Sequence, residues 1–281
     1  EELRGHVYEH GGIMIGGKCA AQDNKTPYQP FIGALQEYLA VLARQEPSAR
    51  EKTISRLKDS LGQLGEILLR LNPAMKEALG EFPALIPLDP ERENKRFLMV
   101  LSKFFCALGE KWRPCVLFLD DLHWADKGTL NLLLELIQDL KGSPLLIVGT
   151  YRDNEVSADH LLMKIKDEAQ NKNLRLFEIE LGLFTLEQLN KFVSEILLED
   201  EAKPIELSKF VMGKSQGNPF FSLEIIRQLV DEGALTYHEA QKNWQPDWDK
   251  VKAVSVSPTI VDIVLRRKPG PVVVNLTTSS L

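Results

Sequence analysis

Two adjacent carboxylates close an apolar run in Cys115-Val-Leu-Phe-Leu-Asp-Asp-Leu-His-Trp-Ala-Asp126. A segment apolar at every position from Cys115 to Leu119 suits a central parallel strand covered on both faces. Ligands of open α/β sheets collect beyond the carboxyl ends of such strands, so Asp120 would be delivered straight to a site. A hard divalent cation held by phosphate oxygens needs such a carboxylate, and Asp121 beside it can orient or deprotonate a water. The same letters also suit a buried strand followed by a solvated acidic turn.

A second apolar run, Leu145 to Tyr151, ends in Arg152-Asp153-Asn154-Glu155. If the two runs are parallel neighbours, an acid pair and an arginine share one edge of the sheet, with room for a metal-bound triphosphate. Arg152 can then stabilise γ-phosphate charge; its other reading is a surface salt-bridging residue. Further on, Gly217-Asn218-Pro219-Phe220-Phe221 separates two helical patterns. Proline is ordinary in the first turn of a helix, and a flat Gly-x-Pro turn poor in donors can also lie against an adenine ring. Gly12-x-x-x-x-Gly17-Lys18 imitates a phosphate-binding loop, but its intervening residues are strand-like. Cys19 also replaces the hydroxyl residue that such a loop needs.

The elements that must position these groups follow from periodicity. Ile13-Met14-Ile15 is a short strand between glycine pairs. Pro30 to Arg44, Ile54 to Leu71 and Glu91 to Leu108 carry apolar residues at helical spacing, with a proline-rich passage from Pro73 to Pro90 between the last two. Asp126 caps a helix through Leu140, stopped by Gly142-Ser143-Pro144. His160 to Glu168 is a helix and Leu174 to Leu181 a third strand. Thr185-x-x-Gln188 opens a mostly helical section with a capping box, placing a subdomain boundary near Gly182. Thr236 to Trp248 suggests a hairpin.

Composition narrows the class. A chain of 281 residues with 44% hydrophobic and 26% charged residues is an ordinary globular protein. The net charge of -6 gives no general attraction to nucleic acid or to anionic membranes, so neither is an expected partner. Cys19, Cys106 and Cys115 share no metal-like spacing and read as reduced core residues of a cytoplasmic protein. No run is long enough to span a bilayer and no signal peptide opens the chain. The sequon at Asn275 carries no meaning in such a compartment. Glu1 to His10 reads as the end of a helix, and Pro269 to Leu281 breaks from the preceding pattern, so both ends look cut.

With these residues in hand, the order LFLDDLHWAD (Leu117 to Asp126), LLIVGTYRDNEV (Leu145 to Val156) and QGNPFF (Gln216 to Phe221) resembles the AAA-type ATPase module of the STAND class of signal-transduction NTPases. The opening from Ile13 to Phe31 also resembles that family's second strand and the segment after it. The resemblance runs from about Glu1 to Lys268, and its nearest likeness is the module of large multidomain serine/threonine and histidine sensor kinases. It implies a P-loop NTPase-like α/β fold, a parallel sheet flanked by helices and followed by a helical lid. Residues 1–182 would be the nucleotide-binding core, 183–235 the lid, 236–268 a hairpin and the start of a winged helix (from Ser257), and 269–281 an atypical tail.

By the same resemblance Asp120 is the Walker B acid acting on Mg²⁺, Asp121 the acid that activates water, and Arg152 the sensor of the γ-phosphate. Gly217, Asn218 and Pro219 form the turn that contacts the adenine of ATP, which would sit between sheet edge and lid. The family's phosphate-binding loop lies upstream of the strand begun by Ile13 and is not among these residues, so ATP binding by this stretch alone is expected to be weak or absent. The implied role is a slow ATPase switch acting on attached kinase or sensor domains, with self-association as a further partner class. Two other readings stay open: a scaffold or interaction module that handles no nucleotide, and a DNA-associated regulatory ATPase.

Overall fold

The computed structural model describes residues 2–20, 26–200, 204–240, 242–254 and 272–275. The segment assigned to a winged helix, Ser257 to Lys268, lies outside them, as do Leu276 and Thr277 of the sequon. The chain divides into two units, residues 1–180 with 270–281, and residues 181–269.

The first unit is built on three parallel strands, β1 (Ile13–Lys18), β2 (Cys115–Asp120) and β3 (Leu145–Thr150), with β2 in the centre. Alternation along these strands serves two faces. Ile13, Ile15, Leu117, Leu119 and Ile147 enter the large core, while Met14, Val116 and Val148 form a separate small cluster. A strand buried on both sides has no polar positions, which is why β2 and β3 were legible as continuous apolar runs. Two further strands extend the sheet. Val272–Asn275, within the stretch read as a tail, is β7; it pairs antiparallel with β3 and with β4 (Leu176–Ile179).

Helices α1 (Glu2–Glu9) and α2 (Gln29–Ala43) pack on β1. Phe31, Leu35 and Tyr38 of α2 are fully buried. The region read as one helical pattern from Ile54 to Leu71 is in fact broken. It holds α3 (Pro47–Leu61), a short 3₁₀ turn and α4 (Glu66–Leu71), because Gly62 takes φ 55°, which an L side chain avoids. The proline-rich passage contains the single-turn α5 (Met75–Leu79).

Helix α6 (Pro90–Cys106) starts at Asp89, whose carboxylate accepts the Arg92 N–H, and sets the Phe105 ring edge-on to Phe31. Helix α7 (Lys127–Asp139) packs against α6 and against α8 (Leu161–Asn171). Among the described residues no helix is long and apolar enough to cross a membrane. Burial pushes the Cys19 and Cys115 thiols up to about 12 and Cys106 to about 11, so all three stay protonated at neutral pH.

Asp126 does two jobs. One carboxylate oxygen caps α7 by accepting the Thr129 N–H at 3.0 Å; the other accepts the Tyr28 N–H at 3.3 Å, tying the entry of α2 to that of α7. Asp126→Ala removes both and is expected to cost ~1–2 kcal/mol, measured by urea denaturation. A midpoint equal to that of the parent would show that neither bond matters.

The second unit carries α9 (Leu186–Leu197), α10 (Ile205–Ser215) and α11 (Pro219–Asp231), then a hairpin of β5 (Leu235–His238) and β6 (Asn243–Pro246), and α12 (Trp248–Ala253). Thr185 and Gln188 form the expected capping box on α9. Leu189, Val193, Val211, Ile225, Leu229 and Val251 make this unit's own core.

Candidate functional site

The parallel register sets Lys18 beside Asp120 and Leu119 beside Gly149, so the C-terminal ends of β1, β2 and β3 form one rim. The Asp120 carboxylate accepts the Thr150 hydroxyl at 2.6 Å with one oxygen and lies 3.0 Å from Lys18 Nζ with the other. Asp121 leaves the strand at φ 58°, ψ 45°, a left-handed conformation that aspartate tolerates better than most residues. Its N–H donates to Thr150 Oγ1 at 2.9 Å, and its carboxylate lies 2.7 Å from the same Lys18 Nζ. One ammonium thus bridges both acids.

Burial alone would raise the Asp120 carboxyl, but the Thr150 hydroxyl, the Lys18 ammonium and the Asp121 N–H outweigh it and hold the group below the ordinary aspartate range. Hydrogen bonds to Asp121 and then Asp120 hold Lys18 above the ordinary lysine range. The rim therefore keeps the Asp120 carboxylate ionised at neutral pH, with the Asp121 carboxylate against the same ammonium. Among the described residues no group of three or more His, Cys, Asp or Glu is arranged to hold a metal ion.

Arg152 follows β3 at the same rim but is engaged elsewhere. Its Nη1 lies 2.6 Å from Glu155 Oε1, and its guanidinium sits 5.1 Å from the centroid of the Trp124 ring. The Trp124 indole N–H also donates to Glu155, at 3.2 Å. This is the salt-bridging arrangement that the sequence left open. His123 stands between the two groups of charges. Its Nδ1 accepts the Arg152 backbone N–H at 3.3 Å, while Nε2 lies 3.5 Å from Glu155 Oε2 and 3.9 Å from Asp121 Oδ1, buried without a hydrogen-bond partner. Burial lowers the His123 pKa, against the pull of Glu155 and Asp121, so the ring is neutral at pH 7 with its proton on Nε2.

Gly217, Asn218 and Pro219 belong to the second unit, where each has a local task. Gly217 takes φ 80°, and a Cβ there would meet the Phe184 carbonyl oxygen at 2.5 Å. Its own carbonyl accepts the Phe184 N–H at 2.7 Å. Asn218 caps α11 through the Phe221 N–H at 3.2 Å, and Pro219 is the first helical residue.

Sequence reasoning singled out the acids but missed Lys18, Thr150 and His123 beside them, and Glu155 beside Arg152. Lys18 was read only as part of a false phosphate loop. The strand expected at Ile13 to Ile15 stops short of Lys18, so no local signal set that lysine beside Asp120.

A family model described as "AAA ATPase domain" matches residues 1–148. Among characterised proteins, the hybrid signal transduction histidine kinase G of Dictyostelium discoideum is 21% identical over 307 aligned positions, which cover 87% of this chain and 9% of that protein. No solved structure matches.

Proposed function

The chain belongs to the AAA ATPase domain family, and on that premise we propose that its strand-end rim is the catalytic edge of an ATP-binding and ATP-hydrolysing switch in a multidomain signalling protein. Membership of the family implies nucleotide binding in general. The more specific reading rests on one observation: the Asp120 and Asp121 carboxylates converge with Thr150 and Lys18 at the ends of adjacent parallel strands.

In this reading Asp120 orients Mg²⁺ through a water, and Asp121 polarises the attacking water. When bound, such a cation would neutralise phosphate charge. Thr150 fixes the Asp120 rotamer. Lys18 supplies the counter-charge that the acids need in the absence of the cation. Arg152 turns from Glu155 to the γ-phosphate, an exchange of one anionic partner for another. Gly217, Asn218 and Pro219 remain the proposed adenine contact. The relative's description as a hybrid signal transduction histidine kinase supports attached signalling domains as what the switch acts on.

The test is nucleotide affinity of the full-length natural protein in Mg²⁺. Wild type is expected to bind ATP more tightly than ADP, and Arg152→Ala to bring the two affinities within about threefold, the loss of one charge-assisted contact. Unchanged ATP preference in Arg152→Ala would remove the sensor role. The closed pairs Lys18 with Asp120 and Asp121, and Arg152 with Glu155, also suit a scaffold that handles no nucleotide. A full-length protein without measurable ATP affinity would select that reading.

A further inference from the structure

At the opposite end of β2 from the acid rim, a cavity of about 310 Å³ opens between the first half of α3 and the turn that precedes the strand. Six residues of a strand separate the two places, roughly 20 Å at ~3.3 Å per residue. Lys52, Arg56 and Arg113 line the cavity with the Trp112 indole, and Glu110 is the only carboxylate among its lining residues.

Two of the three cations are unspent. Arg56 donates one guanidinium nitrogen to the Ala107 carbonyl and holds another 3.6 Å from Glu110, leaving its Nε buried without a partner. Among the described residues, the Lys52 and Arg113 side chains have no hydrogen-bond or ion-pair partner. The lining carries three positive charges against one negative in a protein whose net charge is -6. An acidic protein gains nothing for its fold by holding unpaired cations together beside an orphaned guanidinium nitrogen, and all of these are donors without acceptors. Trp112 is 71% exposed at the same place, a flat apolar face open to solvent beside the charges.

We propose that this cavity binds a phosphate monoester of an aromatic or heteroaromatic group. Its dianion is received by Lys52, Arg113 and Arg56, and its ring lies against Trp112. Cations supply the charge and the directed donors, and the indole supplies stacking area that inorganic phosphate cannot use. A phosphotyrosine side chain and a nucleoside monophosphate share this chemistry. The site is separate from the proposed hydrolytic rim and does not depend on that reading.

The test uses phenyl phosphate as the probe, titrated into the protein by calorimetry at low and moderate salt, with inorganic phosphate, a phosphotyrosyl peptide and AMP as further arms. Saturable binding is expected, weaker at higher salt and tighter for phenyl phosphate than for inorganic phosphate. Whichever of the peptide and AMP binds more tightly identifies the source. Lys52→Ala and Arg113→Ala should each weaken binding about 10-fold. Trp112→Ala should reduce phenyl phosphate to the affinity of inorganic phosphate, while Arg152→Ala should change nothing. Because Lys52 and Trp112 are exposed and Arg113 is only partly buried, melting curves should confirm that the variants stay folded. No saturable binding, or equal binding by wild type and the Lys52→Ala/Arg113→Ala double variant, meaning an adventitious ion only, would overturn the proposal.

Discussion

Asp120→Asn is expected to lower Mg²⁺-dependent ATP hydrolysis by the full-length protein at least ~100-fold, equivalent to about 2.7 kcal/mol of transition-state stabilisation. The substitution keeps volume and shape, and an amide oxygen still accepts the Thr150 hydroxyl. What disappears is the formal charge at the end of β2, on which both the Lys18 contact and the proposed Mg²⁺ contact depend. Stability should change little, because Lys18 is 65% exposed and Asp120 one-third exposed, and such pairs contribute less than about 1 kcal/mol.

The sign of the pH dependence follows from the two shifts. Asp120, held low, contributes stability above its unfolded pKa near 4, and that contribution is lost as pH falls through the folded value. Lys18, held high, contributes below its unfolded pKa near 10 and loses it as pH rises through the folded value. Between roughly pH 5 and 9 both contributions are complete. The difference in melting temperature between wild type and Asp120→Asn should therefore be flat across that window. Hydrolysis within threefold of wild type would dismiss Asp120 as the metal-handling acid, whatever the melting curves show.

Why the acids were legible and their partners were not comes down to the range over which each signal acts. Asp120 and Asp121 are marked by what immediately precedes them, an apolar run that only a doubly covered strand explains. The capping residues Asp126 and Thr185 are equally local, since a cap and the N–H it serves lie within three residues. Lys18 and Asp120 are 102 positions apart, and only the parallel pairing of β1 with β2 joins them. Nothing near Lys18 announces that pairing; its own neighbours, Gly16 and Gly17, bound the expected strand rather than extend it.

Arg152 is marked by its place at the end of an apolar run, and its nearest acid, Glu155, lies three residues along the chain and holds the guanidinium in this structure. His123 was passed over as a residue inside a motif, although its buried ring is what lies between Asp121 and Glu155. Strand β7 was missed because a four-residue strand gains its order from the partners on either side, not from its own pattern.

Those same glycines yield the sharpest test of the packing that carries the rim. Gly17 needs no unusual backbone angle, yet a Cβ there would stand 1.9 Å from the Pro30 carbonyl oxygen and 2.5 Å from its Cα. These are backbone atoms at the start of α2, and that helix is anchored by the fully buried Phe31, Leu35 and Tyr38. Neither side can yield without moving a helix or a central strand. Gly17→Ala is therefore expected to cost about 3 kcal/mol, the upper end of the range for overpacking, and to lower the melting temperature by roughly 6–12 °C.

Gly142→Ala is the matched control. That glycine has φ 79° but nothing within 4 Å, so its loss should cost only the ~1–2 kcal/mol of a left-handed alanine. Equal losses at the two positions would mean that α2 does not press on β1 as described. A larger loss at Gly17 carries a functional corollary, because the next residue is Lys18. A shift of β1 by even a fraction of an ångström withdraws the ammonium from a bridge only 2.7 and 3.0 Å long. Gly17→Ala should then impair hydrolysis at temperatures where the protein is still folded, whereas Gly142→Ala should not.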